Sequence, residues 1–449
     1  MKQSWMTFAQ RPVPRYTSYP TAADFAPAVG AGEARTWAAG VDPGSAISVY
    51  AHIPFCDKLC WYCGCATTVP NGYDRIAAYV ETLHAEIDLW ADAMGPHGGL
   101  AHLHFGGGSP NSLRPEDMTS LIGHIGERFA MRADAEIAME LDPRVLSEAQ
   151  VEAMAGAGVN RVSLGVQTLN LDVQKAINRV QPRAQVERVI ARLNAAGITK
   201  HNMDLMYGLP GQTVADVEEA AAFAVLQGTS RISVFGYAHV PWFAKHQAAI
   251  REDMLPDIEV RFEQAEAATA ILLDAGYVPV GLDHFAREDD SLAIAAKAGQ
   301  LRRNFQGYTD DPCDTLVGLG TSSISQFAEG YVQNLKDRNA WRDSIKAGRL
   351  PSERGVVLTD DDRLRARAIE RLMCDLRVDV AEVCAEMGAA PNALDDALET
   401  ARFLVPAGLC RVKDGVVTVP LAARVMLRTV AQSFDGRFKP APRRHAKAV

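Results

Sequence analysis

The chain of 449 residues is 48% hydrophobic and 22% charged, with 46 Lys and Arg against 55 Asp and Glu, a formal net charge of −9. This is the make-up of a soluble globular protein of roughly two or three domains with ample apolar material for a core. The acidic balance excludes a general nucleic-acid binder, whose footprint is basic, and apolar stretches broken by charge fall short of the ~20 residues that a membrane-spanning helix needs.

Residues 1–45 are rich in Pro and Gly and form an N-terminal segment with little periodicity; residues 1–16 lack the apolar run of a secretory signal, so a cytoplasmic location is expected. From Ala46 onward, short apolar runs alternate with amphipathic stretches. Strands are expected at 47–53, 100–105, 135–141, 161–166, 202–207, 231–235 and 277–282. Between the first two, Ile76, Val80, Leu83, Ile87 and Trp90 step by three and four, which is one face of a helix. Strand–helix alternation implies a parallel sheet. Its six or seven units over residues 46–335 suggest a full or partial (β/α) barrel, with an open doubly wound sheet as the competitor. Either architecture collects ligands at the carboxyl ends of its strands.

Beyond residue 335 the alternation stops. Helices at 363–377, 392–403 and 421–433, with a hairpin over 411–419 turning at Lys413-Asp414-Gly415, predict a small, mainly helical, winged-helix-like domain over residues 336–449. Such folds often bind DNA, but eleven acidic against ten basic residues between 361 and 428 argue against nucleic acid here. A basic tail over 437–449 is expected to fray.

Four of the eight cysteines fall in His52-Ile-Pro-Phe-Cys56-Asp-Lys-Leu-Cys60-Trp-Tyr-Cys63-Gly-Cys65, directly after the first strand. Zinc sites typically close a tetrahedron from two separated pairs. Here the thiols share one short loop, and three thiolates so placed can hold three irons of a cubane, leaving the fourth iron open to another ligand. A structural zinc site and plain reactive thiols are the bland alternatives. Cys313, Cys374, Cys384 and Cys410 are scattered and read as small buried apolar side chains. Gly106-Gly107-Gly108-Ser109 follows the second strand, where glycines allow close backbone approach to a ligand, or simply a tight turn. Glu140, Gln167 and Asp204 end the third, fourth and fifth strands, facing the mouth of a barrel. Each alone reads as a cap or surface contact; three in register are harder to dismiss. Arg179 suits a bidentate carboxylate contact or a surface salt bridge. The eleven histidines show no paired-ligand spacing, and none is assigned to metal.

The C-x3-C-x2-C loop after the first strand resembles the radical S-adenosylmethionine (SAM) superfamily. The additional Cys65 narrows the resemblance to the oxygen-independent coproporphyrinogen III oxidase family, whose heme-chaperone relatives usually carry an aromatic residue there. Pro14-Arg-Tyr-Thr-Ser-Tyr-Pro-Thr21, Phe105-Gly-Gly-Gly-Ser-Pro110, Glu140-Leu-Asp-Pro143, Gly165-Val-Gln167, Asn202-Met-Asp204, Tyr207-Gly-Leu-Pro210, Asp283-His-Phe-Ala286 and Asn304-Phe-Gln-Gly-Tyr308 are similar to segments of that family, so the resemblance spans about residues 12–435. It implies a partial (β/α) barrel of the radical SAM type and a 4Fe–4S cluster on Cys56, Cys60 and Cys63, whose open iron chelates SAM. One electron then cleaves the sulfonium to a 5′-deoxyadenosyl radical.

By the same resemblance Tyr50, Tyr62, Gly107, Gly108, Ser109, Glu140, Gln167, Arg179, Asp204, Ala238 and Ile324 match SAM-contact positions serving two SAM molecules, and Phe305 and Gln306 lie near the second. The family more often has Thr where Ser109 stands; the hydroxyl is kept. Tyr62, Cys65 and Glu140 are the candidate catalytic residues, Cys65 serving a radical or electron step or only shaping the loop. The implied reaction is oxidative decarboxylation of two propionates of coproporphyrinogen III to vinyl groups, giving protoporphyrinogen IX in heme biosynthesis. A heme chaperone of the same superfamily is the alternative. An unidentified one-electron donor and a monomeric enzyme are expected. The four propionates of the substrate call for cations, with Arg15, Arg302 and Arg303 as candidates. The N-terminal segment is expected to cover the barrel mouth, and the C-terminal domain to help hold the macrocycle.

Overall fold

The computed structural model describes residues 3–439. Period-two alternation builds its centre. Strands β1 (Ile47–Ile53), β2 (Leu100–Gly107), β3 (Met131–Leu141), β4 (Arg161–Gln167), β5 (Lys200–Tyr207) and β6 (Arg231–Gly236) pair in parallel in that order. Ile47, Phe105, Ile137, Leu164, Met203 and Ile232 point one way into a continuous apolar core shared with the flanking helices. The alternate positions Ser48, His104, Glu140, Ser163, Asp204 and Ser233 face the other way and line a cavity of about 280 Å³. Side chains from the first and the sixth strand share this cavity, which requires the sheet to curl toward a barrel. The strands therefore read as alternating apolar and polar, unlike parallel strands buried on both faces.

The sheet continues at both ends with antiparallel strands. Short β7 (Val278–Val280) and β8 (His284–Ala286) pair with each other, and β8 pairs with β6. A small hairpin of β9 (Arg302–Asn304) and β10 (Gly307–Thr309) follows. Then β11 (Thr315–Leu319) runs parallel to β1 on its far side and leads into β12 (Ile324–Phe327), β13 (Gly330–Asn334) and β14 (Ser352–Val357). The order β14-β13-β12-β11-β1-β2-β3-β4-β5-β6-β8-β7 leaves β14 and β7 unjoined, so the barrel is partial. The run at 277–282, expected as a seventh strand of the repeat, is instead an edge hairpin: Gly281 takes φ +52 and turns the chain back. The seventh parallel strand is β11, and the sheet extends past residue 335 to Val357. The helix Asp74–Ala93 buries Ile76, Val80, Leu83, Ile87 and Trp90, as the spacing predicts.

The C-terminal region contains helices Asp360–Asp375, Val380–Glu386 and Asp395–Arg402 beside a three-stranded sheet of β15 (Arg377–Asp379), β16 (Arg411–Lys413) and β17 (Val416–Thr418), with β17 in the middle. Asp414 and Gly415 both have positive φ at the expected hairpin turn. The helix expected at 421–433 is divided into a 3-10 turn Leu421–Met426, a helix Leu427–Ala431 and a second 3-10 turn Gln432–Phe434. Trp5, Ala9, Val13, Tyr16 and Tyr19 are buried in the same apolar cluster as Leu372, Met373, Leu427 and Phe434. The start of the chain is thus part of the C-terminal core, whereas the helix Ala31–Ala39 buries Trp37 against the barrel. Among the described residues no helix is long and apolar enough to cross a membrane. Arg437 binds Asp362, and residues 440–449 of the basic tail lie outside the described residues.

Candidate active site

The cysteine loop leaves the end of β1 and is fastened from several sides. Cys56 N donates to Thr68 O at 3.1 Å and Thr68 N to Pro54 O at 2.9 Å, closing the loop on itself. Trp61 N donates to Ile177 O at 2.9 Å, and Asn178 Nδ2 to Leu59 O at 2.8 Å, so the segment after β4 holds one side. His246 Nε2 lies 2.6 Å from Cys63 O, and Gln247 Nε2 donates to Tyr62 O at 2.8 Å, so the segment after β6 holds the other. Cys60 is buried, Cys56 and Cys63 are half-buried and Cys65 is exposed, all four as free thiols. Cys60 Sγ accepts from Arg144 and Arg179, each at 3.4 Å. Cys63 Sγ accepts from Cys65 N at 3.3 Å, and Cys56 Sγ lies 3.1 Å from the Thr67 hydroxyl. Hydrogen bonding from Cys65 draws the Cys63 thiol down to about 7, whereas burial pushes Cys56 up to about 11. Soft sulfur donors with N–H groups aimed at Cys60 and Cys63 suit iron–sulfur chemistry. Among the described residues no three His, Cys, Asp or Glu side chains converge on a single ion position. A cubane asks instead that each thiolate serve its own iron.

The glycine triplet lies against this loop. Gly108 N donates to Ile53 O at 2.9 Å and Ser109 N to Phe55 O at 2.7 Å. A Cβ on Gly108 would stand 2.5 Å from Phe55 O, and one on Gly107, whose φ is +109, would stand 2.8 Å from His52 Nε2. The Ser109 side chain is buried and its hydroxyl donates to Asn111 Oδ1. Gly107 N donates to Glu140 Oε2 at 3.3 Å, and His104 Nε2 lies 3.3 Å from Glu140 Oε1. Tyr50 stacks on the His104 ring with centroids 5.8 Å apart. Burial works to raise the Glu140 carboxyl, but hydrogen bonds from His104 and Gly107 hold it below its usual range. Next along the lumen, Asp204 accepts from Ser163 Oγ at 3.0 Å and Asn202 Nδ2 at 2.8 Å; burial and the nearby Glu140 raise its carboxyl.

Gln167 is buried at the end of β4 with φ +67, in the left-handed region that non-glycine residues seldom adopt. Its neighbour Arg179 donates to Cys60, to the Gly165 carbonyl and to both oxygens of Asp142. Arg179 Nε is buried with no partner among the described residues, a donor whose desolvation costs about 1–3 kcal/mol and which a ligand carboxylate would satisfy. The geometry therefore fits the carboxylate of SAM, as the resemblance implies. Tyr62 packs beside Val173 and Tyr237, and Ala238 follows β6. Phe305 meets Phe25 and Tyr331 edge-on, at 6.4 and 5.6 Å, and Ile324 joins the same apolar cluster. Gln306 lines both the lumen cavity and a second, larger one.

That larger cavity, about 1320 Å³, opens where the ends of β5 and β6 meet the N-terminal segment and the C-terminal region. Arg15, Arg261, Arg303, Arg424 and Arg428 line it. Among the described residues, no ion pair engages Arg15, Arg261, Arg303 or Arg424. Arg303 lies over the Tyr308 ring at 4.3 Å and donates to Tyr16 O at 3.0 Å; Arg424 donates to the carbonyls of Val280, Gly281 and His284. Burial draws Arg424 and Arg428 down to about 10, still cationic at neutral pH. Arg302, expected alongside Arg303, turns away to Asp314 at 2.9 Å and Glu370 at 3.4 Å and does not line the cavity. Arg261, Arg424 and Arg428 were not legible as site residues, although Arg424 and Arg428 stand four apart in an otherwise apolar segment. Asp142 and Arg144 follow Glu140 directly in sequence, and that proximity was the available signal for them.

Residues 50–224 match the radical SAM superfamily. The chain is 45% identical over 444 residues to the oxygen-independent coproporphyrinogen III oxidase of Bradyrhizobium diazoefficiens, covering 99% of each chain. It is 36% identical over 430 residues to the Escherichia coli protein of the same name, covering 94% of this chain and 92% of that one. A solved structure of coproporphyrinogen III oxidase from Escherichia coli, a radical SAM enzyme, superposes with a TM-score of 0.90 at 33% identity, over 94% of this chain and 98% of that one.

Proposed function

Since the chain belongs to the oxygen-independent coproporphyrinogen III oxidases of the radical SAM superfamily, we propose that it converts two propionates of coproporphyrinogen III into vinyl groups without dioxygen, yielding protoporphyrinogen IX. Membership brings an oxidoreductase activity that uses a 4Fe–4S cluster and SAM. The observation that carries the substrate reading is the large cavity lined by five arginines, of which Arg15, Arg261, Arg303 and Arg424 form no ion pair among the described residues, although Asp283 lines the cavity near Arg303 and Arg424. Guanidinium groups bind carboxylates through paired charge-assisted hydrogen bonds, and a tetra-anionic macrocycle needs several at once. Its volume of about 1320 Å³ exceeds the ordinary range of small-ligand pockets, which is about 300–1,000 Å³.

A cluster and SAM bound there would supply the hydrogen-atom abstraction at a propionate β-carbon, and the vinyl group would then form with loss of CO2 and transfer of one electron to an external one-electron acceptor. The chain supplies placement. Cys56, Cys60 and Cys63 hold the cluster. Arg179 takes the SAM carboxylate, Glu140 and Asp204 offer carboxylates to its cationic and hydroxyl groups, and Tyr50 and Tyr62 flank it. Gly107 and Gly108 keep the loop backbone close enough for that contact, with Ser109, Gln167 and Ala238 completing the wall. Phe305 and Gln306 would serve a second SAM, and Ile324 is a further SAM-contact position. Met6, Gln10, Pro12, Arg15 and Thr17 line the large cavity beside Leu421, Arg424 and Arg428, which supports a cover built jointly by the N-terminal segment and the C-terminal domain. Excluding water protects a carbon radical from side reactions. A cytoplasmic monomer fed by a one-electron donor completes the reading.

The test is substrate binding by single arginine variants. Arg303→Ala and Arg15→Ala should weaken coproporphyrinogen III binding while leaving SAM binding intact. Unchanged substrate affinity in both would remove the cavity from the account.

A further inference from the structure

Arg144, Asp142 and Arg179 form a buried unit beside Cys60, and of the three the reaction as described uses only Arg179. Arg144 Nη2 donates to Cys60 Sγ at 3.4 Å, matching the 3.4 Å contact from Arg179. Asp142 bridges the two arginines, 2.6 Å from Arg144 Nη2 and 3.3 Å from Arg179 Nη2. The side chains of Arg144, Asp142 and Arg179 are 10%, 7% and 8% exposed. Asp142 is fixed from behind, because Asn111 accepts from its N at 3.0 Å and donates to its carbonyl at 3.0 Å. The two guanidinium groups hold the Asp142 carboxyl below its usual range against burial, so the unit carries two cations and one anion.

The two arginines have different duties. Arg179 keeps an unpartnered Nε for a ligand. Every nitrogen of Arg144 already meets a partner: its Nε goes to Asp142, Nη1 lies 3.5 Å from Asn178 O, and Nη2 goes to Asp142 and Cys60. Its one contact with the reacting centre is therefore the sulfur. Cys56 and Cys63 meet neutral partners, the Thr67 hydroxyl and the Cys65 N–H. Among the described residues, Cys60 alone of the three has cationic donors in hydrogen-bond contact.

Hydrogen bonds and positive charge at a ligating sulfur stabilise the added electron and raise the reduction potential of an iron–sulfur cluster. Resting on the cluster assignment above, we propose that Arg144, positioned by Asp142, raises the potential of the cluster held by Cys60 and so sets which one-electron donors can reduce it. Arg144 is a positioning residue in this scheme and touches neither SAM nor substrate.

The experiment is an anaerobic redox titration of the cluster-loaded protein, followed by electron paramagnetic resonance, with iron and sulfide contents measured on the same samples. Arg144→Gln removes the charge. It should lower the reduced-to-oxidised ratio at fixed potential about tenfold, equivalent to 59 mV for a one-electron couple. Arg144→Lys should fall between the two. Asp142→Asn removes the anion between the cations and should shift the potential the opposite way. Full cluster content with an unchanged potential in Arg144→Gln would overturn the proposal. So would shifts of the same sign in Arg144→Gln and Asp142→Asn. If Arg144→Gln fails to assemble a cluster, the signs in Arg144→Lys and Asp142→Asn decide. Failure of the unsubstituted protein to take up iron and sulfide would instead refute the cluster assignment itself.

Discussion

Glu86 offers a quantitative check on how the site is supported from beneath. Its carboxyl is fully buried and accepts from Gly320 N at 2.7 Å, Asn334 Nδ2 at 2.6 Å and Trp341 Nε1 at 3.1 Å. Beside it, Tyr79 accepts from Thr321 N at 3.1 Å and donates to His52 O at 2.9 Å. The pair thus anchors the turn that leads into β12 and Ile324, and ties it to the strand that launches the cysteine loop. Burial pushes the Glu86 carboxyl from the usual 4.5 up to about 8, outweighing the N–H donors that favour the anion. Between those two values the folded chain holds a proton that the unfolded chain has lost. Unfolding free energy therefore falls as pH rises, by up to ~1.36 kcal/mol per pH unit. The contribution is complete below 4.5 and gone above about 8, a span on the order of 5 kcal/mol. Glu86→Gln carries no such proton. Anaerobic denaturant unfolding of both proteins at pH 5 to 8 isolates the effect, because every other titrating group is shared. The wild-type curve should lose stability relative to the variant across that range. Parallel curves would refute the reasoning.

Gly108→Ala places a Cβ against Phe55 O at 2.5 Å, so the cysteine loop must shift; iron uptake after reconstitution should drop sharply, and wild-type iron content would contradict the packing described. Arg303→Ala should raise the KM for coproporphyrinogen III about tenfold or more, in line with the ~1.5–3 kcal/mol of a hydrogen bond to a charged group, while Arg302→Ala, already paired with Asp314 and Glu370, should leave it within about twofold. Cys65→Ser keeps the backbone N–H that bonds Cys63 Sγ; if Cys65 only shapes the loop, oxidase activity stays at the wild-type level, and loss of activity with a full cluster assigns it to the radical or electron step.

The parallel core was legible because its strands alternate apolar and polar and its helices step by three and four, and both patterns survive folding whenever one face is buried. The edge of the sheet was not. The run around Val278–Val280 has the composition of a barrel strand, but the turn at Gly281 folds it into a hairpin, and the parallel partner of β1 comes from Thr315–Leu319, far along the chain. The cysteine spacing marks the cluster loop because three soft ligands on one turn have few other uses. The support of that loop is non-local: Arg144, Asn178 and His246 reach it from different segments, and no periodicity records such contacts. Arg15 and Arg303 were reachable from charge and position. Arg424 and Arg428 were not, because they arrive from a terminal segment that reads as apolar packing. The burial of Trp5 through Tyr19 in the C-terminal core was likewise invisible to local pattern.

The most direct test of the central claim is an anaerobic turnover experiment with cluster-loaded protein, SAM, a strong reductant and coproporphyrinogen III, reading protoporphyrin fluorescence and 5′-deoxyadenosine together. The account predicts both products, with one deoxyadenosine for each vinyl group formed. Deoxyadenosine without protoporphyrin would keep the radical chemistry and move the substrate elsewhere; neither product from a protein with an intact cluster would contradict the oxidase reading outright.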